Sequence, residues 1–190
     1  MSRWEGNAAG RLHEAALELF SQRGYEQTTV ADIAERAGLT RRTFFRHFAD
    51  KREVLFWGED LLHDLLVLAV AGAAESSSAV DALAAGLRPA MAAFYQNRPR
   101  ENARRRHAVL AANDALQERE SLKLSRLTEG VAAALRRRGV LEPRATLTAE
   151  AATVIFKTTV ERWITDSREC DLAYYLDEVA HAFKALAGPR

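Results

Sequence analysis

Residues 30–48 read VADIAERAGLTRRTFFRHF, two short helix-forming runs separated by a glycine. Thr29 stands just before the first run and Asp32 follows three positions later. A threonine there caps a helix N-terminus, and an acid three residues on answers the free N–H groups, much as in a capping box. Val30, Ile33, Ala34 and Ala37 form a short apolar stripe that Gly38 breaks. Thr40 is placed to cap again, and the run from Arg41 to Phe48 carries Phe44 and Phe48 at i, i+4. Two short helices over a tight turn cross closely. Ala34 is the small residue such a crossing needs, and Gly38 is the residue that accepts a positive φ in the turn. Ile33, Ala37, Leu39 and Phe44 weld the pair. This is the spacing of a helix-turn-helix, whose second helix enters the DNA major groove with its N-terminal residues against base edges. The exposed face of that helix is Arg41, Arg42, Thr43 and Arg46, which is basic and rich in hydrogen-bond donors.

Outward from this segment the pattern stays helical. Leu12, Ala15, Ala16, Leu19 and Phe20 mark one stripe of a helix from Asn7 to Arg23, which Gly24 stops. After Asp50 the spacing predicts a long helix from about Lys51 to Gly72, then a linker at Glu75-Ser76-Ser77-Ser78. A helix from Val80 to Asn97 follows, with Pro89 expected to kink or split it. Further helices are predicted over about 100–119, 121–138, 145–167 and 171–187. Ala and Leu supply 59 of 190 residues and Ile only three, so helix formers dominate. The expected fold is all-α, with about nine helices: an N-terminal three-helix DNA-binding head over 1–50 and a C-terminal helical bundle over 51–190.

Charge is concentrated where the helix-turn-helix lies. Residues 40–52 hold five basic residues against one acid, while the whole chain carries a net charge of only +1. A short basic focus on a neutral body points to one anionic contact surface. The single cysteine, Cys170, cannot make an intrachain disulfide and fits a reducing cytosol. The first twenty residues lack the apolar core of a secretory signal, and the longest apolar run, Leu65 to Ala74, is about half of what crosses a bilayer. A cytoplasmic protein without a membrane partner is expected. His13-Glu14 lacks the second histidine of a metalloprotease helix, the five histidines are scattered, and no glycine-rich phosphate loop occurs. No catalytic residue, metal site or cofactor is therefore expected. The rival classes are a helical enzyme of unrecognised type and an interaction module whose helix-turn-helix binds no DNA. DNA retention that falls steeply with salt separates DNA binding from both.

The stretches Ala15–Phe20, Gly24-Tyr25, Thr28-Thr29-Val30, Asp32-Ile33-Ala34, Ala37-Gly38-Leu39-Thr40, Thr43–Phe48 and Lys51 stand in an order and spacing that resembles the tetracycline-repressor (TetR) family of bacterial regulators. The resemblance covers residues 10–56. It implies a ligand-responsive regulator, most often a repressor, with double-stranded operator DNA, a small-molecule effector and a second copy of itself as partners. It also assigns roles. Thr29 caps the second helix and touches phosphate, Thr40 caps the recognition helix, and Arg41, Arg42 and Thr43 occupy variable base-facing positions. Lys51, at the start of a fourth helix, contacts phosphate. The chain departs from the family in three places. Arg42 replaces a frequent glycine and brings a long cation to the groove. Phe45 replaces a common tyrosine and lacks its hydroxyl. His47 replaces another tyrosine and is a candidate phosphate contact.

Two further expectations concern the body. The helix over 145–167 is apolar on more than one side, through Leu147, Val154, Thr158 and Trp163, and the last helix carries Tyr175, Val179 and Phe183 at 3-4 spacing. A helix apolar on two sides needs cover on both. Val154, Thr158, Tyr175, Val179 and Phe183 are accordingly predicted at a homodimer interface, as the family resemblance also implies. A helix interrupted by Pro89 packs imperfectly and leaves room for an apolar cavity. Met91, Phe94, Tyr95, His107, Phe156 and Trp163 are its predicted lining, with Asn113 or Thr159 as polar anchors. The effector expected there is small, largely hydrophobic and weakly charged, and the resemblance implies that it releases DNA.

Overall fold

The computed structural model describes residues 7–73, 79–96 and 98–187. Its helices are α1 (Ala8–Arg23), α2 (Val30–Arg36), α3 (Arg41–His47), α4 (Glu59–Ala71), α5 (Ala79–Tyr95), α6 (Arg100–Ala111), α7 (Asp114–Arg137), α8 (Arg144–Thr165) and α9 (Leu172–Ala187). A 3-10 turn, Glu53–Phe56, lies between α3 and α4. The described residues contain no strand, so the all-α expectation holds.

The chain forms two compact units. The first holds residues 1–58 and 99–120, the second 59–98 and 121–190, so the division runs through α7. The sequence reading had instead divided the chain between residues 50 and 51, because α6 shows no local sign of belonging with α1. In the first unit, α1 is buried along the predicted stripe, with Leu12, Ala15, Ala16, Leu19 and Phe20 all at most 5% exposed. Ile33 and Ala37 from α2, Phe44 and Phe48 from and after α3, and Val54, Leu55 and Phe56 from the 3-10 turn pack with it. Val109 and Leu110 of α6 and Leu116 of α7 complete this core.

The second unit packs Leu62, Leu66 and Val70 of α4 with Leu83, Leu87, Met91 and Phe94 of α5. Leu127, Val131 and Leu135 of α7, Ala149 and Ile155 of α8, and Leu176 and Val179 of α9 close the same core. Helix α5 lies close to α4 at Gly86, where a Cβ would stand 3.1 Å from that of Ala69.

Three boundaries differ from the sequence reading. The predicted helix from Lys51 to Gly72 is a 3-10 turn and a separate α4, because Gly58 has φ +80°, outside helical geometry. The Asp50 carboxylate holds that turn, accepting from the backbone N–H groups of Arg52 at 2.8 Å and Glu53 at 3.2 Å. Helix α5 runs through Pro89 without splitting. Pro89 is exposed, and so is Ala85, whose carbonyl loses its helical donor but can turn to water. The break predicted near residue 120 falls at Ala112 and Asn113 instead. There the Asn113 side-chain amide donates to the Val109 carbonyl at 2.6 Å, the local competition by which asparagine ends a helix. The predicted linker, Glu75 to Ser78, lies outside the described residues, as do the first six positions.

Candidate nucleic-acid interface

Both short helices are capped as their spacing requires. The Thr29 hydroxyl accepts from the backbone N–H of Asp32 at 3.2 Å, and the Asp32 carboxylate accepts from the Thr29 backbone N–H at 2.8 Å. The Thr29 hydroxyl also donates to Asp32 Oδ2 at 2.7 Å. That hydrogen bond holds the Asp32 carboxyl below its ordinary range. The Thr29 proton is thus engaged inside the cap, and a phosphate takes it only by drawing it away from Asp32. At the second helix Thr40 Oγ1 accepts from the Thr43 backbone N–H at 3.1 Å. Between them Gly38 stands at φ +64°, and Leu39 N–H returns to the Ala34 carbonyl at 2.8 Å. The turn is thereby closed by hydrogen bonds and not by apolar contact alone.

Helix α3 sits on its aromatic face. Phe44 is fully buried, its ring 5.3 Å from that of Phe48 and 5.5 Å from that of Phe45. At 100° per residue, the direction opposite Phe44 is occupied by Arg42 and Arg46, with Phe45 beside them. All three are exposed, Phe45 by 52%. Arg41 and His47 are also exposed, and Thr43 is half-buried beneath Thr40. The sequence-predicted positions on α3 thus share one solvent-facing surface bearing three guanidinium groups and an open phenyl ring.

Lys51 is placed by a contact the sequence did not announce. Its Nζ donates to the Tyr25 carbonyl at 2.7 Å and lies 4.0 Å from the centre of the Tyr25 ring. An ammonium has three donors, so two remain for a phosphate. Tyr25 itself leans on Phe20, with ring centres 5.1 Å apart. Burial, reinforced by the nearby Asp50 charge, pushes its phenol up to about 12. Two arginines also fasten the helix-turn-helix to α1. Arg11 donates from Nη2 to the Ala37 carbonyl, and Arg36 pairs with Glu18 at 3.0 Å. None of these partners is a sequence neighbour. The Gly24-Tyr25 pair after α1 was the one visible hint.

Residues 12–56 match the profile of bacterial regulatory proteins of the tetR family, and residues 77–187 match that of the MftR C-terminal domain. The second match alone spans more than half of the chain. The chain belongs to the TetR family. The HTH-type transcriptional regulator TcmR of Streptomyces glaucescens is 59% identical over 44 residues, 23% of this chain and 20% of that protein. The chain thus aligns with only a fifth of that relative's length, and the alignment is of helix-turn-helix size. Among solved structures, FadR of Thermus thermophilus, a TetR-family transcriptional repressor in complex with lauroyl-CoA, has a TM-score of 0.56 at 23% identity, covering 96% of each chain. SmeT, the repressor of the Stenotrophomonas maltophilia efflux pump SmeDEF, in its complex with triclosan has a TM-score of 0.60 at 20% identity. That match covers 92% of this chain and 90% of SmeT. At those identities the likeness is one of fold, and it extends the TetR architecture over the whole length.

The residues predicted to line the TetR effector cavity separate into two groups. Met91 and Phe94 are buried on α5, and Tyr95 and Phe156 pack against the same core. The Tyr95 ring stands 4.8 Å from Phe94 and 5.2 Å from Trp163. Thr159 is fully buried, and its hydroxyl oxygen has no hydrogen-bond partner among the described residues. His107 and Asn113 belong to the first unit instead. His107 is exposed there, and Asn113 is bonded to Val109. Of the predicted dimer residues, Val154 is 55% exposed and Thr158 and Phe183 are half-buried. Tyr175 and Val179 are covered by their own chain. Tyr175 is wholly buried, its hydroxyl donating to the Arg168 carbonyl at 3.3 Å, and Val179 lies in the core. Leu147, Tyr174 and Leu186 are the exposed large apolar side chains that the same two helices offer besides Val154.

Proposed function

We propose that this TetR-family chain is a ligand-responsive transcriptional repressor in the cytoplasm. As a homodimer it binds a pseudo-palindromic operator in double-stranded DNA, and a small, largely hydrophobic effector releases it. The face of α3 opposite Phe44, carrying Arg42, Phe45 and Arg46, supports this reading most directly. Arginine pairs bidentately with the O6 and N7 acceptors of guanine, and an exposed phenyl ring meets a thymine methyl. Arg42 is assigned to guanine and Phe45 to the apolar contact. Thr40, Arg41, Thr43, Arg46 and His47 serve neighbouring bases and phosphates, while Thr29 and Lys51 hold the backbone. Two copies related by a two-fold axis present two recognition helices and read inverted half-sites. Val154, Thr158 and Phe183, with Leu147 and Leu186, are the apolar surface available to that pairing.

The effector site is assigned to α5 and α8, around Met91, Phe94, Tyr95, Phe156 and Trp163, with the unpartnered Thr159 hydroxyl as the group that orients it. Release requires the effector to prefer the conformation that DNA does not, and a preference of about 1–3 kcal/mol weakens operator binding roughly 5–150-fold. The reading carries no catalytic step and no cofactor. It is tested by footprinting the chain across its own genome and then measuring affinity for the recovered site by fluorescence anisotropy. Expected are an inverted repeat and an affinity that falls steeply with salt. Arg42→Ala should relax selectivity at one base pair per half-site, by about 1–3 kcal/mol. Salt-independent retention, or equal weakening of every sequence by Arg42→Ala, defeats the assignment.

A further inference from the structure

Helix α8 carries five charged side chains, and only one of them is answered within the chain. Arg162 pairs with Glu178 of α9 at 2.8 Å. Arg144, Glu150, Lys157 and Glu161 are exposed, and their side chains have no hydrogen bond or ion pair among the described residues. In chain order their signs run plus, minus, plus, minus. Reversed, the order is minus, plus, minus, plus, so the pattern complements itself in an antiparallel pair. The centres agree as well. Glu150 and Lys157 are centred between Thr153 and Val154, and Arg144 and Glu161 one residue earlier. Residues seven apart on a helix differ by only about 20° in direction, so Glu150 and Lys157 lie on one flank. Leu147 and Val154, at the same spacing, run beside them and are 64% and 55% exposed.

We propose that these charges decide which chain α8 accepts as its partner, a second copy of this chain in antiparallel register about Val154. Such selection presupposes the homodimer proposed above. A two-fold axis perpendicular to a helix makes its two copies antiparallel and brings the same flank of each face to face. Glu150 then meets the partner subunit's Lys157, and Lys157 meets the partner subunit's Glu150, while Val154 packs on its own counterpart. Charges that flank an apolar seam choose partner and orientation, because like charges set against each other across an interface are costly. A chain with another charge order on this helix is turned away. The two recognition helices of a dimer therefore stay identical, as an inverted repeat requires.

The test uses the full chain, with dimers identified by native mass spectrometry and dissociation constants taken from sedimentation equilibrium. Wild type should be dimeric at micromolar concentration. Glu150→Lys alone and Lys157→Glu alone should each dimerise at least about tenfold more weakly, since each sets two like-charged contacts in the homodimer. The defect should shrink in high salt, which a packing defect would not. Mixing the two single variants should restore dimers of one chain of each kind, because one chain then presents lysine and the other glutamate at both positions. The double variant Glu150→Lys, Lys157→Glu should associate with itself as wild type does and exchange little with wild type. A wild type that stays monomeric refutes the homodimer, and this register with it. A dimeric wild type whose single variants dimerise unchanged, or are weakened without recovery on mixing, overturns the charge pairing and leaves the homodimer standing.

Discussion

Replacing Lys51 with alanine separates two roles that its position combines. The ammonium is bonded to the Tyr25 carbonyl at 2.7 Å and sits 4.0 Å from that ring. A hydrogen bond from a charged donor contributes about 1.5–3 kcal/mol, and a cation over an exposed ring about 0.5–1 kcal/mol. Lys51 is half-buried, so water recovers part of both. A net loss of about 1–2 kcal/mol in the stability of the first unit follows. Urea unfolding followed by circular dichroism measures it. The two donors left on the ammonium give the second role. Each phosphate contact contributes about 0.9 to the slope of log affinity against log salt, so a dimer losing one contact per protomer loses about 1.8. Lys51→Ala should show both effects. Lys51→Met keeps the apolar stem and should recover little of either, since each rests on the charge. An unchanged salt slope would refute the phosphate role. Unchanged stability would refute the claim that Tyr25 holds the lysine.

Tyr25→Phe keeps the ring and the carbonyl but removes a phenol raised from 10.0 to about 12 by burial. The folded state holds that proton more tightly than the unfolded chain, so the wild type is fully stabilised below pH 10 and loses stability as pH rises toward 12. The variant should lose less over that window, and equal alkaline loss in both proteins would contradict the placement. Gly38→Ala should destabilise the helix-turn-helix by about 1 kcal/mol, the cost of a left-handed non-glycine residue. Its Cβ would also stand 3.0 Å from Arg11 Nη2, which bonds the neighbouring Ala37 carbonyl; a thermal melt reads the change. Thr159→Val replaces a buried, unpartnered hydroxyl by a methyl of similar shape and should stabilise the ligand-free protein by about 1 kcal/mol. A destabilised Thr159→Val protein would show that the hydroxyl has a partner after all.

What the sequence made legible was local. The caps at Thr29 and Thr40, the left-handed turn at Gly38 and the Phe44 and Phe48 anchor each depend on residues within four positions of one another. Spacing alone placed them. The basic face of α3 followed, because burying Phe44 on one side dictates what stands on the other. The misses share the opposite property. Lys51 is 26 positions from Tyr25, and Arg11 is the same distance from the Ala37 carbonyl it bonds. No periodicity carries such pairs. Gly58 lies inside the helix that spacing predicts from Lys51 to Gly72, and its φ of +80° divides that stretch. The 3-10 turn before it places Val54, Leu55 and Phe56 in the first core, a tertiary fact that helical periodicity does not carry. His107 and Asn113 stand among the expected effector residues because a boundary between residues 50 and 51 leaves their helix in the body. That grouping needed a tertiary fact, the packing of α6 on α1. Tyr175 is expected at a dimer face because it lies on the 3-4 apolar stripe of the last helix, but its own chain buries it, with the hydroxyl donating to the Arg168 carbonyl.

The packing of α6 on α1 has a consequence for the smallest folding unit. A head defined by the helix-turn-helix alone, residues 1–58, lacks Val109, Leu110 and Leu116, which are at most 6% exposed in the same core as Leu12, Phe20 and Leu55. Burying an aliphatic side chain contributes about 1.5–3 kcal/mol, so removing three forfeits about 5–9 kcal/mol before newly bared α1 surface is counted. A domain of this size has a total stability of only about 5–15 kcal/mol. Two charged links are lost as well. Arg119 pairs with Glu53 at 2.8 Å, and Arg106 donates from Nε to the Leu55 carbonyl at 2.9 Å, both tying the later segment to the 3-10 turn beside Lys51. The fragment 1–58 should therefore be helical at most in part, melt without a cooperative transition and bind operator DNA weakly. Joining residues 99–120 to it through a flexible glycine-serine linker should restore a cooperative melt. Far-ultraviolet circular dichroism on the two fragments decides the matter. A 1–58 fragment that melts cooperatively within a few degrees of the linked form would show that α1 needs no cover from α6, and the first unit would then end at Gly58.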